Sequence, residues 1–356
     1  MKIGIDYSAA VSRQRSGVGN YVFNLVNGIA KIDNINEYLL FVNAKLSFDD
    51  VGFNFKIYRK TGLSRFFQQL DVFHGPDFKL IFTQSRKKVV TIHDLASHFN
   101  NDFMSIDFQE LTKKKIQNSV RNSDLIITPS NTIKSQLEEF YPETIGKVRT
   151  VYHGISDNIK YINDTEQMRK TLDKYKINQP YLLFVGNIEN RKNISNLLNA
   201  FSELINERKI EHQLVLVGKP GWGFDKINIK AKELNLSNKV CFIGWAGENE
   251  LSVLYSAADV FVYPSWYEGF GFPILEAMKC KLPVVVSDIP THREIASDAA
   301  TFVIPDNPSM IADAIYSLIL NRSQRELLIS RGLEHVKFFT WEKTARETLN
   351  IYSACL

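Results

Sequence analysis

Cysteine is scarce, with three in 356 residues at positions 241, 280 and 355. Their wide spacing excludes a disulfide framework and a zinc ligand set, and it fits reduced thiols in a cytosolic protein. No window approaches the roughly 18 uncharged apolar residues of a spanning helix. The chain opens directly on the strand pattern Lys2-Ile3-Gly4-Ile5-Asp6, without a charged leader and apolar run. The seven histidines, among them His74, His93 and His98, are scattered, and no cluster has metal-ligand spacing; no metal is expected. The phosphate motifs are missing too. Leu216-Val217-Gly218-Lys219-Pro220 has no following Gly-Lys-Ser/Thr. Gly17 and Gly19 lie about ten residues past the first strand and lack a third glycine in register, so the dinucleotide fingerprint fails. The basic runs Arg86-Lys87-Lys88 and Lys113-Lys114-Lys115 are too short and scattered for a nucleic-acid surface.

What is present alternates. Short apolar runs predict strands at 2–6, 38–43, 54–58, 89–92, 124–128 and 148–151, then at 181–185, 213–217, 240–243, 260–263, 283–286 and 301–303. Amphipathic stretches predict helices at 17–31, 105–121, 131–140, 193–208, 225–235, 250–256, 273–279, 290–297, 308–320 and 324–338. Strands such as Tyr181–Val185 are apolar throughout, as in a parallel sheet covered on both faces. The expected class is α/β, with two doubly wound parallel-sheet domains. A polar stretch at 157–179 marks the change of domain, placed at 165/166, so the domains are 1–165 and 166–338. A last helix lies in 339–356; Thr340 suits its N-cap, but Lys343 occupies the position where a capping box wants Glu or Gln. Charge is uneven: 21 Lys and Arg against 17 Asp and Glu in residues 1–165, and 22 against 22 in the remainder, so the first half alone is mildly basic.

Five clusters fall at predicted strand exits, and a sixth, Gly17 and Gly19, lies beyond the first strand at a helix start. In Pro264-Ser-Trp-Tyr-Glu268-Gly269-Phe270-Gly271-Phe272-Pro273-Ile-Leu-Glu276, two carboxylates flank a glycine turn and a helix start. Glu276 suits a vicinal diol such as a ribose, and Glu268 the hydroxyls of another moiety; alternatively Glu276 complements a helix dipole and Glu268 caps amides. In Gly186-Asn187-Ile-Glu-Asn-Arg191-Lys192-Asn193, two cations lie beside a helix N-terminus, where an anion such as a diphosphate would join them unless the loop is merely solvated. Gly218-Lys219 and Gly244-Trp245 are further exits on the same side; Trp245 fits a base contact or a core role equally. In the first half, Gly17 and Gly19 suit either a substrate-holding loop or plain turn chemistry. His93, followed by Asp94, can bond a sugar hydroxyl or phosphate, or form a structural pair with Asp94.

Together these motifs resemble the retaining glycosyltransferase family 4, nearest its mannosyltransferase-like members, over nearly the whole chain and most densely over 181–296. The resemblance implies the GT-B architecture, two Rossmann-like domains facing across a cleft, with the last helix crossing back to the first domain. It implies that Glu276 binds the nucleotide ribose, that Glu268 binds a donor-sugar hydroxyl, and that the amides around Gly269, Phe270, Gly271 and Phe272 face sugar and diphosphate. Arg191 and Lys192 would clamp the diphosphate. Gly17 and Gly19 would lie near the donor phosphate, and His93 near the transferred sugar. Ser130 and the His153-Gly154-Ile155 turn match family positions. Many members carry arginine where this chain has Asn187; the Asn190-Arg191-Lys192-Asn193 run resembles a subset that uses GDP-mannose, with a UDP-sugar as the alternative.

The resemblance thus implies transfer of a hexose, with retention, to a glycan or lipid-linked saccharide in cell-surface polysaccharide synthesis, without a cofactor or a required metal. A nucleotide-sugar epimerase or hydrolase, and a non-catalytic nucleotide-sugar-binding protein, are the competing readings. The aromatic and basic residues Phe48, Phe53, Phe55, Tyr58, Arg59, Lys60, Arg65, Phe66 and Phe67, with the two basic runs, suggest a peripheral face on an anionic membrane. The expected location is the cytoplasm and the inner face of its membrane.

Overall fold

The computed structural model describes every residue except 13, 43–54, 60–68, 82 and 100, and the side chains at 58, 59 and 101 stand outside it as well. The chain forms two compact units: Met1–Phe99 with Ile106–Ser156 and Phe339–Leu356, and Asn100–Ser105 with Asp157–Phe338.

The first unit is a sheet of β1 (Lys2–Asp6), β2 (Glu37–Val42), β3 (Phe55–Arg59), β4 (Leu70–Gly75), β5 (Ser85–Thr91), β6 (Leu125–Thr128) and β7 (Val148–Thr150). Its order is β3-β2-β1-β4-β5-β6-β7, with every pairing parallel. Helices α1 (Gly17–Ile32), α2 (Ile106–Asn122) and α3 (Asn131–Phe140) join the strands. Ser16 starts α1 by accepting the Gly19 amide at 3.2 Å. Tyr21, Val22, Leu25, Val26 and Ile29 then recur at helical spacing and pack with Ile3 and Ile5 in one core. A Cβ on Gly19 would come within 2.7 Å of the Ala9 carbonyl oxygen, so packing alone requires glycine there.

Strand β4 was not expected from the sequence. Asp71 and His74 interrupt its apolar run, but each has a tertiary partner: Asp71 accepts the Lys2 amide at 2.8 Å, and His74 bonds Thr91 at 2.8 Å. Phe55 is buried and stacked on Tyr38 with 4.5 Å between rings, so it belongs to the core. The other aromatic and basic residues expected on a membrane face between 48 and 67 lie, side chain or whole residue, outside the described residues.

The second unit repeats the plan with β8 (Tyr181–Val185), β9 (Gln213–Val217), β10 (Val240–Gly244), β11 (Val260–Tyr263), β12 (Val284–Ser287) and β13 (Thr301–Val303). The order is β10-β9-β8-β11-β12-β13, again all parallel. Its helices are α4 (Thr165–Tyr175), α5 (Ile194–Asn206), α6 (Phe224–Glu233), α7 (Glu248–Ala257), α8 (Phe272–Lys279), α9 (Pro290–Ala296), α10 (Pro308–Leu320) and α11 (Arg322–His335). The change of unit falls at Asp157, earlier than the expected 165/166. The reason is local: the Lys160 and Ile162 amides donate to Ser252 at 3.3 Å and Ser256 at 2.9 Å on α7. Helix α4 was also unexpected, since only Leu172 is buried in it; Asp164 caps it, and Tyr175 anchors it to Glu250 at 2.8 Å.

The final helix, α12 (Trp341–Ala354), belongs to the first unit. Thr340 caps it by accepting the Lys343 amide at 3.2 Å. It lies so close to α1 that a Cβ on Gly28 would be 2.9 Å from the Trp341 carbonyl oxygen. Burying Ile351 and Tyr352 contributes about 1.5–3 kcal/mol each. Among the described residues no helix is long and apolar enough to cross a membrane.

Candidate functional site

Both strand orders reverse direction at their centre, and ligands of such sheets are held outside the carboxyl ends of the two strands flanking that point. In the second unit these strands are β8 and β11. Gly186 to Lys192 follow the first, and Pro264 to Gly271 the second. Three of the charges singled out in the sequence, Arg191, Lys192 and Glu268, meet there. Lys192 Nζ donates to Glu268 Oε1 at 2.5 Å and to the Tyr263 hydroxyl at 2.8 Å. Arg191 Nη1 donates to Glu268 Oε2 at 3.2 Å and to the Tyr267 carbonyl at 2.9 Å, while Nη2 reaches Glu189 Oε1 at 2.8 Å.

Lys192 and Glu268 are both 6% exposed. Burial pushes the Glu268 carboxyl up, but Lys192 and Arg191 outweigh it and hold the group at about 2. Burial, and after it Arg191, pull the Lys192 ammonium down against the opposing effect of Glu268. Both oxygens of Glu268 go to cations, which replaces the amide-capping alternative.

The surrounding loop is held from several sides. Asn193, in left-handed backbone at φ 57°, donates to the carbonyls of Pro264 at 3.0 Å and Pro305 at 2.7 Å. Thr291 donates to the Glu268 carbonyl at 2.8 Å, and Ser287 to that of Ser265 at 2.5 Å. Gly271 turns the chain into α8 at φ 96°. At the β8 and β9 exits, a Cβ on Gly218 would fall 1.8 Å from the Gly186 carbonyl oxygen, an approach that admits only glycine.

Glu276 lies in the second turn of α8, beyond the reach of the helix dipole at the N-terminus. Its Oε2 accepts from the Tyr255 hydroxyl at 2.8 Å. It is half-buried by surface, yet the protein encloses its carboxyl enough that burial pushes it up to about 7 against the Tyr255 bond. Phe270 is buried, with its ring 5.1 Å from that of Phe272. Asn187 and Lys219 are exposed, and Trp245 is 43% exposed, which removes the core role for Trp245. None of these three bonds the Arg191, Lys192 and Glu268 cluster.

In the first unit, His93 follows β5. Its Nε2–H donates to the Pro76 carbonyl at 2.8 Å, so the acceptor lone pair is on Nδ1, which has no hydrogen-bond partner among the described residues. Tyr21 meets the ring edge-on at 4.8 Å, and Phe78 and His153 lie at 5.3 and 5.5 Å. Burial lowers the His93 pKa, so the ring is neutral near pH 7. Asp94 accepts the Ala96 amide at 3.0 Å and orients the following turn instead of His93. Ser130 caps α3, and Gly154 is packed against the Trp341 backbone, where a Cβ would lie 2.2 Å from nitrogen. A Cβ on Gly17 would meet nothing within 4 Å, so packing does not require glycine there. Among the described residues no group of three metal-ligating side chains occurs.

The family of group 1 glycosyl transferases matches residues 164–335. O-antigen chain mannosyltransferase B of Escherichia coli is 32% identical over 283 residues, covering 79% of this chain and 74% of that protein. The chain belongs to the group 1 glycosyltransferases. In fold it is similar to sucrose-phosphate synthase from Thermosynechococcus elongatus (TM-score 0.78, 20% identity, 99% of this chain and 98% of that one). It is also similar to Anabaena HepE, solved in complex with UDP and glucose (TM-score 0.75, 15% identity, 99% and 100% covered). Two Rossmann-like parallel-sheet units, matched over nearly the whole chain, give this glycosyltransferase the GT-B architecture.

Sequence reasoning missed several residues that support the Arg191, Lys192 and Glu268 cluster. Glu189 and Tyr263 partner the cations, and Asn193, Ser287 and Thr291 fix the loop. The αL asparagine directly before a helix was the one available signal; the serine, the threonine and the tyrosine look like ordinary strand and helix ends.

Proposed function

We propose that this chain is a retaining family 4 glycosyltransferase that moves mannose from GDP-mannose to a hydroxyl of a glycan or lipid-linked saccharide in cell-surface polysaccharide synthesis. The observation that carries the reading is the pair of cations, Arg191 and Lys192, sharing one buried carboxylate at the switch point of the second sheet. Breaking the sugar–phosphate bond leaves negative charge on the diphosphate. Fixed cations in a site of low dielectric stabilise that charge most in the transition state. Lys192 is held in place by Tyr263, and Arg191 by the Tyr267 carbonyl and Glu189, so little reorganisation accompanies the step. Glu276, ionised above about pH 7, accepts the ribose hydroxyls. His93 is a positioning group that accepts a hydroxyl through Nδ1, and it serves neither as nucleophile nor as cation.

The mannose donor rests on the E. coli mannosyltransferase relative and on the Asn190–Asn193 run. The HepE complex with UDP favours a UDP-sugar as the second donor. On the acceptor side, α2 exposes Ile106, Phe108 and Leu111 beside Lys114 and Lys115, a composition suited to the surface of an anionic bilayer. Calorimetric titration with GDP-mannose, UDP-glucose, ADP-glucose and TDP-glucose, followed by product analysis with saccharide acceptors, tests the reading. GDP-mannose should bind tightest and transfer with retention. Tightest binding of UDP-glucose would reassign the donor. Donor turnover without any acceptor product would favour the hydrolase or epimerase alternative. Flotation with anionic liposomes tests the membrane face, and absence of association at low salt would remove it.

A further inference from the structure

Arg191 and Lys192 are not waiting cations. Glu268 uses both carboxylate oxygens on them, at 3.2 and 2.5 Å, and Glu189 takes the other arm of Arg191 at 2.8 Å. Two cations thus face two carboxylates, and the cluster is close to neutral. A further anion placed on these cations either shares them with Glu268 or displaces it. Lys192 keeps Tyr263, and Arg191 keeps the Tyr267 carbonyl and Glu189, when an anion arrives, whereas both ion pairs of the Glu268 carboxylate are the bonds that the anion replaces. A displaced carboxylate in a buried site needs new hydrogen-bond donors. A nucleoside diphosphate offers none at its terminal phosphate. A sugar attached to that phosphate offers several hydroxyls.

We infer that Glu268 is a built-in competitor for the diphosphate seat, which makes the intact nucleotide-sugar a better ligand than the free nucleoside diphosphate. The inference rests on the donor site proposed above and adds a selectivity to it. On donor binding, the diphosphate takes Arg191 and Lys192 while the sugar hydroxyls take Glu268. Once the sugar has been transferred, Glu268 loses those donors, returns to the cations and weakens the hold on the product nucleotide. No covalent bond to Glu268 forms at any stage. Glu268 therefore couples recognition of the sugar to release of the spent nucleotide.

The test is calorimetric titration of wild type and Glu268→Gln with GDP, GDP-mannose, UDP and UDP-glucose. Wild type should bind the sugar-bearing member of its preferred pair more tightly. In Glu268→Gln, the matching nucleoside diphosphate should bind about tenfold tighter than to wild type, because a charge competing at contact distance is gone. The preference for the sugar-bearing form should shrink or reverse. If wild type binds the nucleotides and Glu268→Gln binds the diphosphate equally or more weakly, the inference is overturned while the donor site stands. If wild type binds none of the four, the donor site itself falls and the inference with it. A melt followed by circular dichroism reports whether the variant folds. Should it not, Glu268→Asp keeps the charge but withdraws it by one methylene, and a diphosphate affinity that does not rise in that variant counts equally against the inference.

Discussion

At the exits of β8 and β11, two cations and two carboxylates lie within hydrogen-bond reach of one another. At the exits of β4 and β5 in the other sheet, a neutral histidine is bonded to the Pro76 carbonyl and enclosed by Tyr21, Phe78 and His153. The two sheets share one strand order around their central strands. The cluster of the second sheet lies at its switch point between β8 and β11, whereas the first sheet reverses between β1 and β4 and His93 follows the next strand, β5, so a shared scaffold carries different chemistry on its loops. On the function proposed above, the exit at β8 and β11 manages negative charge and that at β5 aligns a hydroxyl. Substitutions in the first should act on the chemical step, and those in the second more mildly on positioning.

The largest expected effect comes from Lys192→Ala, which removes a preorganised charge from the leaving group. Single-turnover transfer should fall by about 10²–10³-fold with a smaller change in donor affinity. Next is Glu276→Ala, which should raise the donor Kd about tenfold by removing charge-assisted bonds to the ribose. The same carboxyl gives a pH signature. It sits at about 7, so lowering the pH from 8 to 6 neutralises it, and donor binding should weaken over that interval in wild type but not in Glu276→Ala. His93→Ala should lower transfer by about tenfold, the worth of one positioned hydrogen bond. Because burial lowers the His93 pKa, the ring is uncharged above neutrality, and wild-type turnover at saturating donor should show no histidine step as the pH rises from 7 to 8. A His93→Ala loss exceeding that of Lys192→Ala would invert the comparison. The smallest effect is on stability: Tyr352→Phe takes a 2.6 Å partner from His74 Nδ1, and urea unfolding should show a loss of about 1 kcal/mol.

The sequence is more transparent in the second unit than in the first, for a physical reason. Strands β8, β11 and β12 are runs of Val, Leu, Phe and Tyr, with one serine at the end of β12, and are buried throughout, so composition alone reveals them. Strand β4 carries Asp71 and His74, whose partners lie 69 residues before the one and 278 beyond the other, and no local pattern reports such pairs. Helix α4 was hidden for the opposite cause: it is nearly all polar and is held by its cap and by the Tyr175–Glu250 bond. In the candidate site, Arg191, Lys192, Glu268 and Glu276 stood out in the sequence because their positions match the family's motifs, their spacing alone leaving structural roles open. That Glu268 bonds the two cations was not legible, since 76 residues separate it from Lys192 and only the sheet order brings them together.

The measurement that bears most directly on the central claim is calorimetric titration of GDP-mannose and UDP-glucose into wild type and into the double variant Arg191→Ala/Lys192→Ala, with folding of both confirmed. The account predicts saturable binding of at least one nucleotide-sugar to wild type and its loss in the double variant. Equal binding to both proteins, or no binding of either donor to wild type, would contradict it.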